Sequence, residues 1–241
     1  MVRSQRITLA LFALFAAGIA TILLLTPSKD ESNCSILGDD AIAACSRAIA
    51  SGSHKDHDLG KLYRTRGLLY WDRSDYDRAI ADHGEAIRLD PKDAAAYNDR
   101  GVAYRSKGDN DRAMTDFSEA IRLDPKEPVA YNNRCWTRAI IGRELQEALA
   151  DCNEALRLDP NLSHPLATRG LVYLRLERFD NAIVDYDAAL KINSRMANAL
   201  YGRGFVKLKT GDTPGGNDDI GAAKAIQADI AEEFARYGVR P

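Results

Sequence analysis

Five arginines recur at a nearly fixed interval and impose a repeat on whatever this chain folds into. Arg66, Arg100, Arg134, Arg169 and Arg203 stand 34, 34, 35 and 34 residues apart. A period of that size marks stacked supersecondary units, none of which can bury its own apolar face. Each arginine is followed by Gly67, Gly101, Cys135, Gly170 or Gly204, and an aspartate comb keeps step as Asp82, Asp116, Asp151, Asp185 and Asp219. Alanines hold two further columns: Ala79, Ala113, Ala148 and Ala182, which Gly216 completes, and Ala86, Ala120, Ala155, Ala189 and Ala223. Between these marks apolar residues are spaced by three and four, as in Tyr63, Gly67 and Tyr70, then Ala79, Ile80, His83, Ala86 and Ile87. That is the pattern of two amphipathic helices per unit. Gly108-Asp109 and Gly211-Asp212 mark turns, and Pro91, Pro125 and Pro160 close units because proline disfavours a helical predecessor.

These residues resemble the tetratricopeptide repeat, whose unit of about 34 residues carries Gly, Tyr, Ala, an aromatic, Ala and Pro at fixed places. The resemblance implies an all-α fold: an α-solenoid of stacked helix pairs wound as a right-handed superhelix. Five units follow, at 60–93, 94–127, 128–162, 163–196 and 197–230, with one inserted residue near Leu145. Residues 26–59 form a linker and a degenerate first repeat, of which 39–52 read as the second helix; 231–241 read as a capping helix and tail. Gly215 and Gly216 should weaken the last second helix by about 1 kcal/mol each.

Repetition argues against a catalytic reading of the combs, since a catalytic pair is needed once. Arginine on the first helix and aspartate on the second are instead placed for a bidentate bond that ties the pair and sets its register. There is no Gly-rich phosphate loop, nucleophile elbow or His-Glu-x-x-His helix, so no catalytic residue, cofactor or metal site is expected. His54 and His57 sit in a charged loop without a third ligand at metal spacing. His83 fills an aromatic column and is expected to be a packed, hydrogen-bonded core histidine. With 33 basic and 35 acidic residues the net charge is −2, which lacks the excess that phosphate backbones demand; nucleic acid is excluded as partner.

The four cysteines, Cys34, Cys45, Cys135 and Cys152, are too few to build a fold but enough to staple one. Three pairings exist, and sequence proximity favours 34–45 with 135–152. Cys135 takes a glycine column and Cys152 an aromatic column of one unit, positions that touch across a helix pair. Four buried thiols are the alternative, and without Cys-x-x-Cys a thioredoxin-like redox role lacks support.

Ile7 to Leu25 are 19 uncharged, mostly apolar residues, near the length that spans a hydrocarbon core. Arg3 and Arg6 precede the run while Lys29, Asp30 and Glu31 follow it, which places the bulk of the chain outside the cytoplasm. Residues 1–25 are therefore a signal-anchor or a cleaved signal peptide. An oxidising, periplasmic-side compartment would suit both cysteine bridges.

In proteins similar to this one the first helices line a concave groove that receives a peptide or partner helix. One lining column here is Arg64, Asn98, Asn132, Ala167 and Tyr201; a second is Leu68, Val102, Trp136, Leu171 and Phe205. Asn98, Asn132 and Asn133 can donate and accept together, which suits an extended backbone. Trp136 is either the strongest anchor for a partner or an inter-repeat packing residue. The family's carboxylate clamp needs lysines and asparagines at set columns, and no register of this chain supplies them, so an internal or apolar segment is the expected ligand. The function expected is a non-enzymatic scaffold binding a protein or peptide in the bacterial cell envelope. A homo-oligomeric assembly factor or a regulator of an envelope enzyme is the rival.

Overall fold

The computed structural model describes Cys34 and residues 40–239, so the apolar run at 7–25 lies outside the described residues. Twelve α-helices and no strand are found among them. A lone helix α1, Ala41–Ala50, precedes five hairpins: α2 (Asp56–Asp72) with α3 (Tyr76–Leu89), α4 (Ala94–Ser106) with α5 (Asn110–Leu123), and α6 (Pro128–Ile141) with α7 (Leu145–Leu158). Then follow α8 (Ser163–Arg175) with α9 (Phe179–Ile192), α10 (Ala197–Lys209) with α11 (Thr213–Ile226), and a short α12, Ile230–Arg236. No helix among the described residues is long and apolar enough to cross a membrane.

Local chemistry sets these bounds. Asp75, Asp93, Asp109 and Asp212 cap helix N-termini by accepting from the amides of Arg78, Ala96, Arg112 and Gly215. At the other end, Asp90, Asp124 and Asp159 turn extended, and each carboxylate accepts at 3.0 Å from the amide two residues on. The aspartate of each Leu-Asp-Pro phrase thus stops one helix and shapes the turn to the next. The residue inserted in the third unit does not lengthen the turn near Leu145. It extends α6 to 14 residues, against 13 for α4, α8 and α10, and Gly142 closes the longer helix in the left-handed conformation at φ 69°.

Packing follows from the small columns. Ala79, Ala86, Ala113, Ala148, Ala155, Ala182 and Ala189 are fully buried between helices. In three units a ring from the second helix rests on the glycine of the first: an added Cβ would stand 2.6 Å from His83 at Gly67, 2.7 Å from Phe117 at Gly101 and 2.8 Å from Tyr186 at Gly170. In the last unit no ring is present; Gly216 itself approaches the Gly204 carbonyl, which an added Cβ would meet at 2.9 Å. The helix-weakening glycine is there because α10 and α11 approach closely.

Each first helix touches the first helix of the next unit, as α2 with α4, α4 with α6, α6 with α8 and α8 with α10, whereas consecutive second helices are not in contact. The array therefore curves with its first helices inside, and they line the concave face.

Candidate functional site

The arginine and aspartate combs form a ladder at the seam of every hairpin. Arg66 Nε and Nη2 donate to the two carboxylate oxygens of Asp82 at 2.7 and 2.8 Å. The same fork joins Arg100 to Asp116, Arg134 to Asp151, Arg169 to Asp185 and Arg203 to Asp219. All five aspartates are buried. The hydrogen bonds to Asp82, Asp116 and Asp185 raise the pKa of Arg66, Arg100 and Arg169. Tyrosines flank the guanidinium, with Tyr63 and Tyr70 centroids 5.5 and 5.9 Å from Arg66 and Tyr97 and Tyr104 at 5.6 and 5.8 Å from Arg100.

One role of the ladder goes beyond what the sequence predicts. The remaining guanidinium nitrogen reaches back to the preceding second helix: Arg66 to Ser46 Oγ at 2.9 Å, Arg134 to Ser118 Oγ at 3.0 Å, Arg169 to Asn153 at 2.8 Å and Arg203 to Asp187 at 2.7 Å. For Arg100 that position is Gly84, which offers no side chain. The signal is a polar column two residues after the aspartate or its neighbour, easily passed over because its members differ. Each arginine thus closes one hairpin, and all but Arg100 also fasten it to the helix before, which is architecture rather than chemistry.

Cys34 stands beside Cys45 and Cys135 beside Cys152, with sulfurs at disulfide distance and Cα separations of 4.7 and 5.6 Å. The second pair replaces the ring-on-glycine contact of the other units by sulfur. His83 corrects an expectation: it is fully buried, but neither ring nitrogen has a hydrogen-bond partner. Its burial pushes the pKa down to about 4, against a smaller opposing effect of Asp82, so the ring is neutral. Among the described residues no group of three or more His, Cys, Asp or Glu is arranged to hold a metal ion.

The concave face divides into two halves. In the first three units none of its lining residues is fully buried. Leu68 is 41% exposed and Trp71 38%, with Val102 partly covered beside them. Several polar residues expected to face a ligand are engaged with one another. Arg64 Nε donates to Asp99 at 2.8 Å, and Asn133 Nδ2 donates to Asn98 Oδ1 at 2.9 Å. Asn132 Oδ1 is the exception, buried without a hydrogen-bond partner.

In the last two units the face is filled, which corrects the expected groove. Ala167, Leu171, Tyr201 and Phe205 are all at most 5% exposed. Part of this cover is the C-terminal segment, which turns inward after α11 instead of simply stacking on its end. Phe234, 1% exposed, packs on Tyr201 with ring centroids 4.7 Å apart. Tyr237 meets Trp136 edge-on at 5.6 Å, and Arg175 Nη2 donates to the Tyr237 carbonyl and, at 3.1 Å, to that of Ile140. Ile230 and Val239 complete the seat as buried residues. Trp136 thus packs intramolecularly, against the core and the chain's own tail.

Protein-family profiles match two stretches, residues 64–128 as tetratricopeptide repeat and 170–211 as TPR repeat. No curated protein is similar enough in sequence to match. Solved structures agree on the fold. PilW, described as a widely conserved type IV pilus biogenesis factor, is 20% identical with a TM-score of 0.65, over 74% of this chain and 86% of its own. YrrB, a TPR protein with an unusual peptide-binding site, is 20% identical with a TM-score of 0.56, over 83% and 100%. MamA from Desulfovibrio magneticus RS-1 is 19% identical with a TM-score of 0.59, over 70% and 96%. With its 34-residue combs, paired helices and these matches, the chain is a tetratricopeptide-repeat protein, an all-α solenoid.

Proposed function

We propose that the protein is a non-enzymatic interaction scaffold that binds a protein or peptide segment in the open, N-terminal half of its concave groove. The observation that carries this reading is the exposure of Leu68, a member of a lining column of the first helices, with Trp71 exposed one turn further along α2. Apolar side chains there offer burial to a ligand's side chains, and Asn132 is a polar member of the neighbouring lining column. The unusual peptide-binding site of YrrB belongs to that protein, and it supports this use of the fold by analogy alone.

The site of action in this reading is the extracytoplasmic side of the bacterial envelope. The apolar run at 7–25 with Arg3 and Arg6 before it supports export or anchoring, and two cysteine pairs at disulfide distance suit an oxidising compartment. Leu68→Asp combined with Asn132→Ala should abolish crosslinked capture of the partner from membranes while leaving helicity and melting temperature unchanged. Capture at the wild-type level would sink the groove reading. Self-association stays the rival, and a mass that rises with concentration and survives both substitutions would favour it.

A further inference from the structure

Arg105, like Arg175, is a desolvated cation with no counter-ion among the described residues. Arg105, near the end of α4, donates from Nη1 to the backbone and side-chain oxygens of Asn133 at 3.4 and 3.3 Å. Its guanidinium stands 5.7 Å from the centre of the Phe117 ring. Both neighbours are neutral. Arg66, Arg100, Arg134, Arg138, Arg169 and Arg203 each have a carboxylate within ion-pair distance, but among the described residues none pairs with Arg105. Burial pushes its pKa down to about 10. An enclosed charge left in this state destabilises the fold, whereas packing alone would be served by an apolar residue.

Arg105 borders a cavity of about 810 Å³ between the end of α4, the α6 residues Trp136 and Ile140, and the C-terminal segment at Tyr237. That is within the size range of ligand pockets. Asn110 lines it too, and its Oδ1 is buried with no hydrogen-bond partner. Glu233 is the one carboxylate among the lining residues, and it is engaged elsewhere. One oxygen accepts from the Tyr237 hydroxyl at 2.6 Å and the other from the Gln227 amide at 2.6 Å. Arg236 adds further positive charge to the lining, while Lys107, which also borders it, is paired with Asp77.

We infer that this cavity is a carboxylate pocket, which receives an aspartate or glutamate side chain of the segment lying in the groove. The carboxylate accepts from the Arg105 guanidinium, and a backbone amide of the same segment donates to Asn110 Oδ1. The Trp136 and Tyr237 rings cover the adjoining apolar side chain. The docked C-terminal segment is thus a wall of the pocket as well as an occupant of the groove. The inference rests on the groove reading and adds to it the charge of the ligand.

The test uses the full-length protein and two blocked peptides, N-acetyl-Leu-Ala-Asp-Ala-Leu-amide and the same peptide with Asn for Asp, in calorimetric titrations at low ionic strength. A charge-assisted hydrogen bond favours the Asp peptide by roughly tenfold or more. Arg105→Gln should erase that preference while melting at or above the wild-type temperature. Glu233→Gln, by removing the nearby negative charge, should tighten the Asp peptide. Equal affinities of the two peptides for wild type, a preference that survives Arg105→Gln, or no binding of either at millimolar concentration overturns the pocket. So does an Arg105→Gln or Glu233→Gln protein that melts lower without any change in discrimination, since the pair would then be structural. Peptides bound equally and lost together in Leu68→Asp would remove the pocket but keep the groove.

Discussion

The two halves of the concave face come from the same repeat and end in opposite states. In the first three units the inner columns carry Arg64, Leu68, Asn98, Val102 and Asn132, and Leu68 is left 41% exposed. In the last two the same columns carry Ala167, Leu171, Tyr201 and Phe205, and all are buried. The difference lies in what each half can offer. A surface of aromatic and aliphatic residues with few polar groups gains by covering itself, and the C-terminal segment supplies Phe234 and Tyr237 for that purpose. A surface whose arginine already bonds Asp99 and whose Asn98 already bonds Asn133 gains less from a cover. A repeat array therefore specifies its binding face twice, by its frame and then by the side chains the frame presents.

The sharpest way to break this comparison is to undock the tail. Phe234→Ala with Tyr237→Ala removes a fully buried ring and its neighbour, and should cost the docked state about 3–5 kcal/mol. Hydrogen exchange should then quicken at residues 227–239 and on the inner faces of α8 and α10, leaving α2 to α5 as protected as before. Loss of protection spread evenly along the chain would show that the two halves are one cooperative unit.

Next in size is the staple at the boundary between the halves. Closing a 17-residue separation, the Cys135–Cys152 bond should stabilise the fold by about 3 kcal/mol. Protein taken from its own compartment should show no free thiol until denatured and reduced, and reduction should lower its melting temperature. Four titratable thiols in unreduced protein would overturn the oxidising-compartment reading.

The smallest expected effect sharpens the contrast within one packing column, where the first unit has His83 and the fourth Tyr186. His83 is held near pKa 4, below its ordinary value of 6.5, so the unfolded chain binds the proton more tightly. Stability is therefore full above pH 6.5 and falls as the pH drops toward 4, by about 2 kcal/mol between pH 6.5 and 5. His83→Phe should flatten that slope, since Phe117 already fills the same position in the second unit. An unchanged slope in the variant would assign the acid sensitivity to other groups.

Much of this molecule is legible in its residues alone. The Arg66–Asp82 and Arg134–Asp151 pairs lie 16 and 17 residues apart, within one hairpin, so a helical spacing and a short turn already bring them together. The same locality favours the cysteine pairing that the structure holds. The third arginine contact is half legible, because Ser46, Ser118, Asn153 and Asp187 form a column only when hydrogen-bonding capacity, rather than residue type, is compared. A polar group in a core column is ordinarily bonded, which is why the sequence predicts a satisfied His83. That expectation fails because the ring lies against the small Gly67, where neither nitrogen meets a hydrogen-bond partner.

By itself, then, the sequence determined the helix pairs, their number, their seams and their caps. Each of these depends on residues within one period, and the period is written into the chain. Only the tertiary structure decided that Tyr237 meets Trp136 across 101 positions, that Arg105 is enclosed without a carboxylate, and that half of the groove is already taken. Those outcomes depend on how far small rotations between successive units accumulate into curvature. No single unit encodes that sum, which fixes where the end of the chain falls on the inner face.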